Sequence, residues 1–578
     1  MSTSAATLGE ARPSLLRRYV PIVAWLPRYD RGWLVADALA GLSVWALLVP
    51  QSLAYATLVG VPVQYGLYAA FAGLLVYPFF GTSRQMVVGP SATVGAVSFA
   101  VVAPIVGTSK MGTGAAVGYS AALALAAGAF YVALGLLRMG WVSNFLSKAV
   151  MSGFILGFAI GIIIDQSHKL LGVDSVSGSY AQELWGTLKE LPDTSGFTLL
   201  VGASSLGLLL AMRHRLPRWP RALLVMAIAI IAVKASDLTS HGVEVTGHVP
   251  TGFFSVGLPG VGWSQVTALA VGAVSVAFVG FSESLASART MAQKHGYEID
   301  PNQELIAQGA CCGASGFVGG FVVDGSLSKT SVADAAGQRT QMASVINAGF
   351  ILLTMLILAS LFEDLPSATL GAVVIDAMLG LVSFEPLRRY YRVNRSDWVF
   401  FMAAGLGILF FGIMEGILTG VVLSLLLLIA RSSQTSIRRL ARDPKSGAFH
   451  YVGRHEGLEP IPGVLIARID GPLFFADADR FRTTLESMVA ESGPSSVIVD
   501  AEAVHLTDTD GADILIQVAG ELRGRGIRLV LASVHPPVLD LWRRAGLLGV
   551  IGAEAVFTNV LEAVRFLDAE AFPTPAVG

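Results

Sequence analysis

Charge is scarce in this chain: Asp, Glu, Lys and Arg make up 14% of its 578 residues, against roughly a quarter in a soluble domain. With 53% hydrophobic residues, most of the chain cannot face water. Cysteine is nearly absent. Cys311 and Cys312 stand side by side in an apolar run, which excludes a disulfide framework or a zinc set. Neither sign of charge is in excess: the net charge is -2, which offers nucleic acid nothing to bind. No Gly-rich loop ends in Lys-Ser or Lys-Thr, so an ATP-driven pump is not expected. Beyond Gly463 no metal-ligand set or nucleophile–base pair stands out, so the chain reads as no enzyme and as needing no cofactor. The first 33 residues hold Arg12, Arg17, Arg18, Arg28 and Arg31 without an apolar core, so no cleavable signal peptide is expected and the first true membrane segment directs insertion.

Apolar runs and glycine, at 63 residues, are what the chain has in abundance. A bilayer-crossing helix needs about 20 apolar residues, and small residues let such helices pack closely. Candidate spans are Leu34–Val59, Gly66–Phe80, Ala115–Leu137, Ala149–Ile164, Phe197–Met212, Ala222–Val233, Val266–Ser287, Met342–Leu361, Ala368–Val382, Trp398–Ile413 and Gly416–Ala430. Pro90–Val106, Leu305–Val322 and Ser326–Ala336 are shorter and broken by Gly, Pro or Ser. Together they predict an α-helical polytopic membrane protein of about 14 segments. Basic residues test that count, since cytoplasmic loops collect Lys and Arg. With the N-terminus inside, Arg84, Arg138, Lys148, Arg213, Arg215, Arg218, Arg221, Lys294, Arg339, Arg388, Arg389, Arg392 and Arg395 all fall in cytoplasmic loops. The outer loops hold Lys110, and Lys169 and Lys189 balanced by acids. An even number of segments also puts Arg431, Arg438, Arg439, Arg442 and Lys445 inside. Residues 1–33 then form a cytoplasmic N-terminal segment, 34–430 the membrane domain, 431–450 a basic linker and 451–578 a soluble α/β domain in the cytoplasm.

The membrane region echoes itself. Gln51-Ser52-Leu53-Ala54-Tyr55-Ala56 matches Glu283-Ser284-Leu285-Ala286-Ser287-Ala288, and Val87-Val88-Gly89-Pro90-Ser91 matches Val322-Val323-Asp324-Gly325-Ser326 at nearly the same offset. The predicted segments place seven spans in each half, so the second half is inverted (7+7). Inverted repeats are a transporter design that holds substrate between broken helices near the midplane. The second echo falls where two short segments begin, and a helix N-terminus with unpaired N–H groups attracts anions. Ser91, Ala92, Ser326, Ser328 and Thr330 are therefore expected to line an anion cradle, with Lys329 as its cation. Glu283 lies mid-run, where a carboxylate is costly and reads as functional: it would pair with Lys329, carry a proton or coordinate Na⁺. Gln51, its counterpart in the first half, would donate a hydrogen bond to substrate. Asp37, Asp165, Asp334, Asp376 and Glu385 lie near predicted span ends and read as interfacial; Glu415 reads as part of a tight turn.

Over nearly its whole length the chain resembles the SulP family of anion permeases, called SLC26 in animals. The resemblance is carried by Val49-Pro50-Gln51-Ser52-Leu53-Ala54-Tyr55-Ala56, Tyr65-Gly66-Leu67-Tyr68, Gly81-Thr82-Ser83-Arg84, Val88-Gly89-Pro90-Ser91-Ala92, Glu283-Ser284-Leu285-Ala286 and Ile299-Asp300-Pro301-Asn302-Gln303-Glu304-Leu305. It implies fourteen helices split into core and gate domains, a homodimer, elevator-like alternating access, and an anion flanked by the third and tenth helices. Where the family often has Ser-Arg-Thr, this chain has Ser328-Lys329-Thr330, which keeps the charge and loses the planar fork of Arg. The C-terminal region resembles a STAS domain through Ile469-Asp470-Gly471-Pro472-Leu473-Phe474-Phe475-Ala476, Val499-Asp500-Ala501 and Asp508-Thr509-Asp510-Gly511. In the antagonist proteins that give the domain its name, the last motif carries a phosphorylated Ser; here Thr509 and Asp510 stand there as candidate regulatory positions.

The resulting expectation is a multi-pass secondary transporter in the inner (plasma) membrane, with both termini cytoplasmic. It carries a small inorganic or carboxylate anion, sulfate first, coupled to H⁺ or Na⁺, with a cytoplasmic partner possible at the STAS domain. Bicarbonate, dicarboxylate and chloride satisfy the same cradle. A nucleobase permease shares the architecture but is disfavoured by Lys329. An anion-sensing signalling scaffold that acts through STAS is the reading from a different class.

Overall fold

The computed structural model describes residues 19–108, 113–141, 148–174, 178–216, 219–254, 256–260, 262–412, 436–453 and 455–567, with single positions 419, 422, 423 and 426. The span expected at Gly416–Ala430 falls almost wholly outside the described residues, as do Arg12, Arg17, Arg18, Lys110, Arg218, Glu415 and Arg431. Two compact units divide at Ser424 and Leu425.

The first unit contains α1 (Leu34–Val59), α2 (Gln64–Phe80), β1 (Val88–Gly89), α3 (Ala92–Thr108), α4 (Thr113–Leu136), α5 (Lys148–Leu171), α6 (Tyr180–Lys189), α7 (Gly196–Arg215), α8 (Arg221–Ser236), α9 (Trp263–His295), α10 (Pro301–Phe317), β2 (Asp324–Gly325), α11 (Leu327–Ala335), α12 (Met342–Leu353), α13 (Ser367–Leu379), α14 (Glu385–Val393) and α15 (Arg395–Phe411). Every span expected before residue 412 has a helix here. By length and composition, six helices among the described residues are long and apolar enough to cross a membrane. The others are shorter or broken. α11 has nine residues and rises only about 14 Å, half a bilayer.

The two repeats meet at a crossing. β1 pairs antiparallel with β2, Val88 opposite Gly325 and Gly89 opposite Asp324. β1 runs after two residues into the 17-residue α3 and β2 after one residue into the nine-residue α11, so two helix N-termini sit at the same ladder. Thr330 is fully buried and staples the crossing: its Oγ1 accepts from the Val87 N–H at 3.0 Å.

Buried carboxylates tie the loops behind this crossing. Glu304 accepts from the Thr82 hydroxyl and N–H, the Ser83 N–H and the Tyr77 hydroxyl at 2.5–3.2 Å, which explains why Gly81-Thr82-Ser83 and the Asp300–Leu305 stretch occur together. Asp300 caps α10 by accepting from Asn302 and Gln303, with Pro301 in the first turn. Asp37 lies in the first turn of α1. It is fully buried and accepts from the Arg339 and Thr340 N–H groups and the Thr340 hydroxyl, clamping α1 of the first repeat to the start of α12 in the second.

Close helix approach explains the glycine content. A Cβ on Gly153 of α5 would stand 2.1 Å from the Phe401 carbonyl oxygen of α15, and one on Gly66 of α2 would stand 1.9 Å from that of Ser52 in α1. Gly66→Ala must push α2 off α1 and should lower the thermal midpoint in detergent by several degrees, in line with overpacking costs of about 1–3 kcal/mol. An unchanged midpoint would mean that the helices do not approach so closely.

The second unit is a six-stranded sheet in the order β4 (Phe449–Tyr451), β3 (Ile437–Arg442), β5 (Val464–Ile469), β6 (Ser496–Asp500), β7 (Arg528–Ala532), β8 (Val556–Phe557). From β5 to β8 the pairing is parallel; β3 and β4 add antiparallel. α16 (Ala478–Ser492), α17 (Thr509–Gly524), α18 (Pro536–Arg544) and α19 (Leu547–Ile551) cover one face and α20 (Val560–Leu567) the other, leaving an apolar core on each side. Within the expected linker 431–450, β3 and the start of β4 already belong to this sheet. In β3, Leu440 and Ala441 are buried while Arg438 is turned out to solvent.

Candidate functional site

A cavity of about 560 Å³ opens at the crossing. α1 contributes Gln51 and Tyr55, the start of α3 contributes Ser91, Ala92 and Thr93, and α9 contributes Glu283. The start of α11 supplies Ser326, Ser328 and Lys329. Seven of the residues read from the sequence as site candidates, Gln51, Ser91, Ala92, Glu283, Ser326, Ser328 and Lys329, therefore line one cavity. Thr330 does not; its hydroxyl is turned to the Val87 N–H, just before β1.

The start of α11 is left open to a ligand. The first N–H groups of a helix have no intrahelical acceptor. Ser326 at the N-cap makes no side-chain cap, and its hydroxyl instead lies 3.0 Å from that of Ser328. Those N–H groups and the helix dipole face the cavity with partial positive charge.

Lys329 is 1% exposed. Its Nζ donates to the Gly89 carbonyl at 3.2 Å and to the Pro90 carbonyl, so the ammonium of one repeat ties down the chain entering the other. An ammonium has three donors, and the third is free for a ligand. A snorkelling lysine would instead reach outward to headgroups.

Glu283 projects from mid-α9 with Asp324, Thr93 and Lys329 as its polar neighbours. Asp324 was missed by the sequence reading although it sits inside the quoted echo, opposite Gly89. At the cavity's mouth Asp376 is buried. It pairs with Arg221 at 3.0 Å and with Arg213 at 3.8 Å. Asp334 is bound by Lys294 and His295. Among the described residues no group of His, Cys, Asp and Glu suits a metal ion.

In the second unit, Thr509 and Asp510 are exposed in the first turn of α17. Asp508 caps that helix, accepting from the Gly511 N–H at 2.8 Å and from the Phe475 N–H at 3.0 Å.

Residues 34–404 match the profile of the sulfate permease family, and residues 458–563 match that of the STAS domain. A probable sulfate transporter of Mycobacterium tuberculosis is 32% identical over 553 residues, 95% of this chain and 98% of that protein. Sulfate anion transporter 1 of Homo sapiens is 29% identical, covering 96% and 91%. The structure of the murine solute carrier 26 family member A9 anion transporter, in its inward-facing state, superimposes with a TM-score of 0.91 at 25% identity, over 98% of this chain and 96% of that one.

Proposed function

The chain belongs to the sulfate permease family and carries a STAS domain, and from that premise we propose that it is a secondary transporter of sulfate that holds its anion between the N-termini of α3 and α11. One observation carries this reading: two helices, one from each repeat, begin at one ladder, with a buried ammonium between them and a cavity in front. That arrangement offers positive charge from three sources to a ligand that cannot bring its own cation. Bound anion would face Ser91–Thr93 on one side and Ser326–Lys329 on the other, with Gln51 donating from α1 and Glu283 as the coupling carboxylate.

The cavity opens beside Arg213 and Arg221, the loop that the charge pattern assigns to the cytoplasm, and on this reading the arrangement is inward-facing. Elevator motion would carry the crossing past α5, α7, α13 and α15. The Asp376 pairs with Arg213 and Arg221 would then hold the inner mouth. We assign the protein to the plasma membrane, with both termini cytoplasmic and a homodimer as the working assembly. Uptake of labelled sulfate, bicarbonate, chloride and dicarboxylates into proteoliposomes, with imposed proton or Na⁺ gradients, tests the reading. Sulfate accumulation above equilibrium supports it; uptake of none of these anions would refute it and favour a sensing scaffold.

The STAS unit has its own sheet and cores, so it is proposed to regulate or assemble the transporter without touching the anion, with Thr509 and Asp510 as a partner-facing position. A chain ending before Ile437 spares the sheet from being cut mid-ladder. It should bind anion with a dissociation constant within about threefold of the full chain, as expected for sites that share no partners. A calorimetric titration decides this: complete loss of binding in a monodisperse truncated protein would make the two units one site.

A further inference from the structure

Asp324 is a fully buried carboxylate whose two oxygens both lack a hydrogen-bond partner and lie out of contact with solvent. Such a group is expensive as an anion, and it recurs to no structural purpose: the β1–β2 ladder uses its backbone, and Ser284 serves the Gly325 N–H at 2.8 Å. Its surroundings supply the explanation. Ser91 and Thr93 from the α3 start, Glu283 from α9 and Lys329 from α11 form one cluster with it. Among the described residues, Tyr131 of α4, Tyr55 of α1 and Cys312 of α10 also face it. The Tyr131 hydroxyl is likewise buried without a partner. Glu283 lines the cavity while Asp324 does not, so Asp324 lies behind Glu283 as seen from the anion cradle.

Two carboxylates face one ammonium here, so full ionisation leaves the cluster with a net negative charge next to a site meant for an anion. One further positive charge makes the cluster neutral. A Na⁺ ion is poorly served: Lys329 already occupies the Gly89 and Pro90 carbonyls that would ligate it, and the ammonium itself repels a second cation. A proton needs only the two carboxylates.

We propose that Asp324 and Glu283 share a single exchangeable proton behind the anion cradle, and that this proton binds together with the anion. The proposal rests on the cradle reading above and names its coupling ion. A proton from solution adds to a Glu283 oxygen at the cavity wall and is shared with Asp324. No other bond forms or breaks, and the same proton leaves to solution on the far side of the membrane. The neutral cluster admits the anion and the ionised one repels it, so anion affinity rises as pH falls. By reciprocity, anion binding draws in the proton.

Sulfate is the probe, because it does not itself titrate near neutral pH. Full-length protein in weakly buffered detergent is titrated with sulfate while a pH indicator follows the solution. On the alkaline side of the transition, about one proton should be taken up per sulfate bound, and affinity should fall about tenfold per pH unit. In Asp324→Asn, Glu283 is left with Lys329 as its counter-charge; proton uptake and the alkaline loss of affinity should both vanish, while Asp324→Glu should restore them. Sulfate binding without proton uptake in the parent protein would overturn the proposal, and that measurement stands even where Asp324→Asn does not fold. A wild-type pH slope in a folded Asp324→Asn, or Na⁺-driven uptake at fixed pH without proton movement, would also overturn it. Absence of sulfate binding at every pH would remove the cradle reading, and this proposal with it. Sulfate binding that is weakened by Lys329→Ala but takes up no proton would remove this proposal alone.

Discussion

Lys329→Ala should weaken anion binding by about a hundredfold or more, because removing the ammonium strips a buried anion of its one full counter-charge, a loss of about 3 kcal/mol. The expected fold-change exceeds that of losing any single hydroxyl, since neutral hydrogen bonds contribute about 1 kcal/mol each. The same substitution leaves the Gly89 and Pro90 carbonyls without their donor, so the entry to α3 loosens as well. Lys329→Arg keeps the charge and should recover much of the affinity, although its flat fork presents donors in a different geometry. Calorimetric titration of the three purified proteins, each checked for monodispersity, reads this directly. Parental affinity in folded Lys329→Ala would place the anion elsewhere.

Glu283→Gln keeps size and hydrogen bonding and removes the titratable charge. Gradient-driven accumulation should fall at least tenfold, about 1.4 kcal/mol of driving force or more, while anion exchange at equilibrium partly persists. The split matters: a helix-orienting carboxylate would lower both rates together, whereas a coupling carboxylate separates them. Proteoliposome uptake with and without an imposed gradient measures each. Accumulation that keeps its pH dependence in Glu283→Gln would reduce the residue to packing.

Much of this architecture was legible because the bilayer imposes a single demand, an apolar run of sufficient length. Leu34–Val59 was read to its observed ends: its run stops at Gly60, whose left-handed φ of 82° ends the helix. α9 runs two turns beyond the expected Ser287, to His295. Hydropathy could not see those turns, because they carry Arg289, Lys294 and His295, and two of these bind Asp334. The crossing was legible as a sequence echo because both repeats need small residues where a strand turns into a helix. β3 was hidden because its arginines resemble a linker, and only its pairing with β4 and β5 shows that Leu440 and Ala441 are buried.

Polar residues were read less well, for a physical reason. Distance from the end of an apolar run says how costly a charge would be, but not which partner it meets. Asp37 and Asp376 both lie near span ends. One clamps two repeats through backbone N–H groups, and the other closes an ion pair at the cavity mouth. Thr330 shares the cradle's sequence but is turned to the Val87 N–H by the helical rotation that follows Ser328. Asp324 stood in plain view opposite Gly89, and its isolation from hydrogen-bond donors exists only once α3, α9 and α11 are assembled around it.

The placement of the anion is tested most directly by diffraction from crystals grown with selenate, whose selenium marks its own position by anomalous scattering. The account predicts one anomalous peak inside the cavity, between the Ser91–Thr93 and Ser326–Lys329 segments and within contact of the Lys329 ammonium. A dominant peak outside that cavity, or none in it at selenate concentrations that saturate binding in solution, would contradict it.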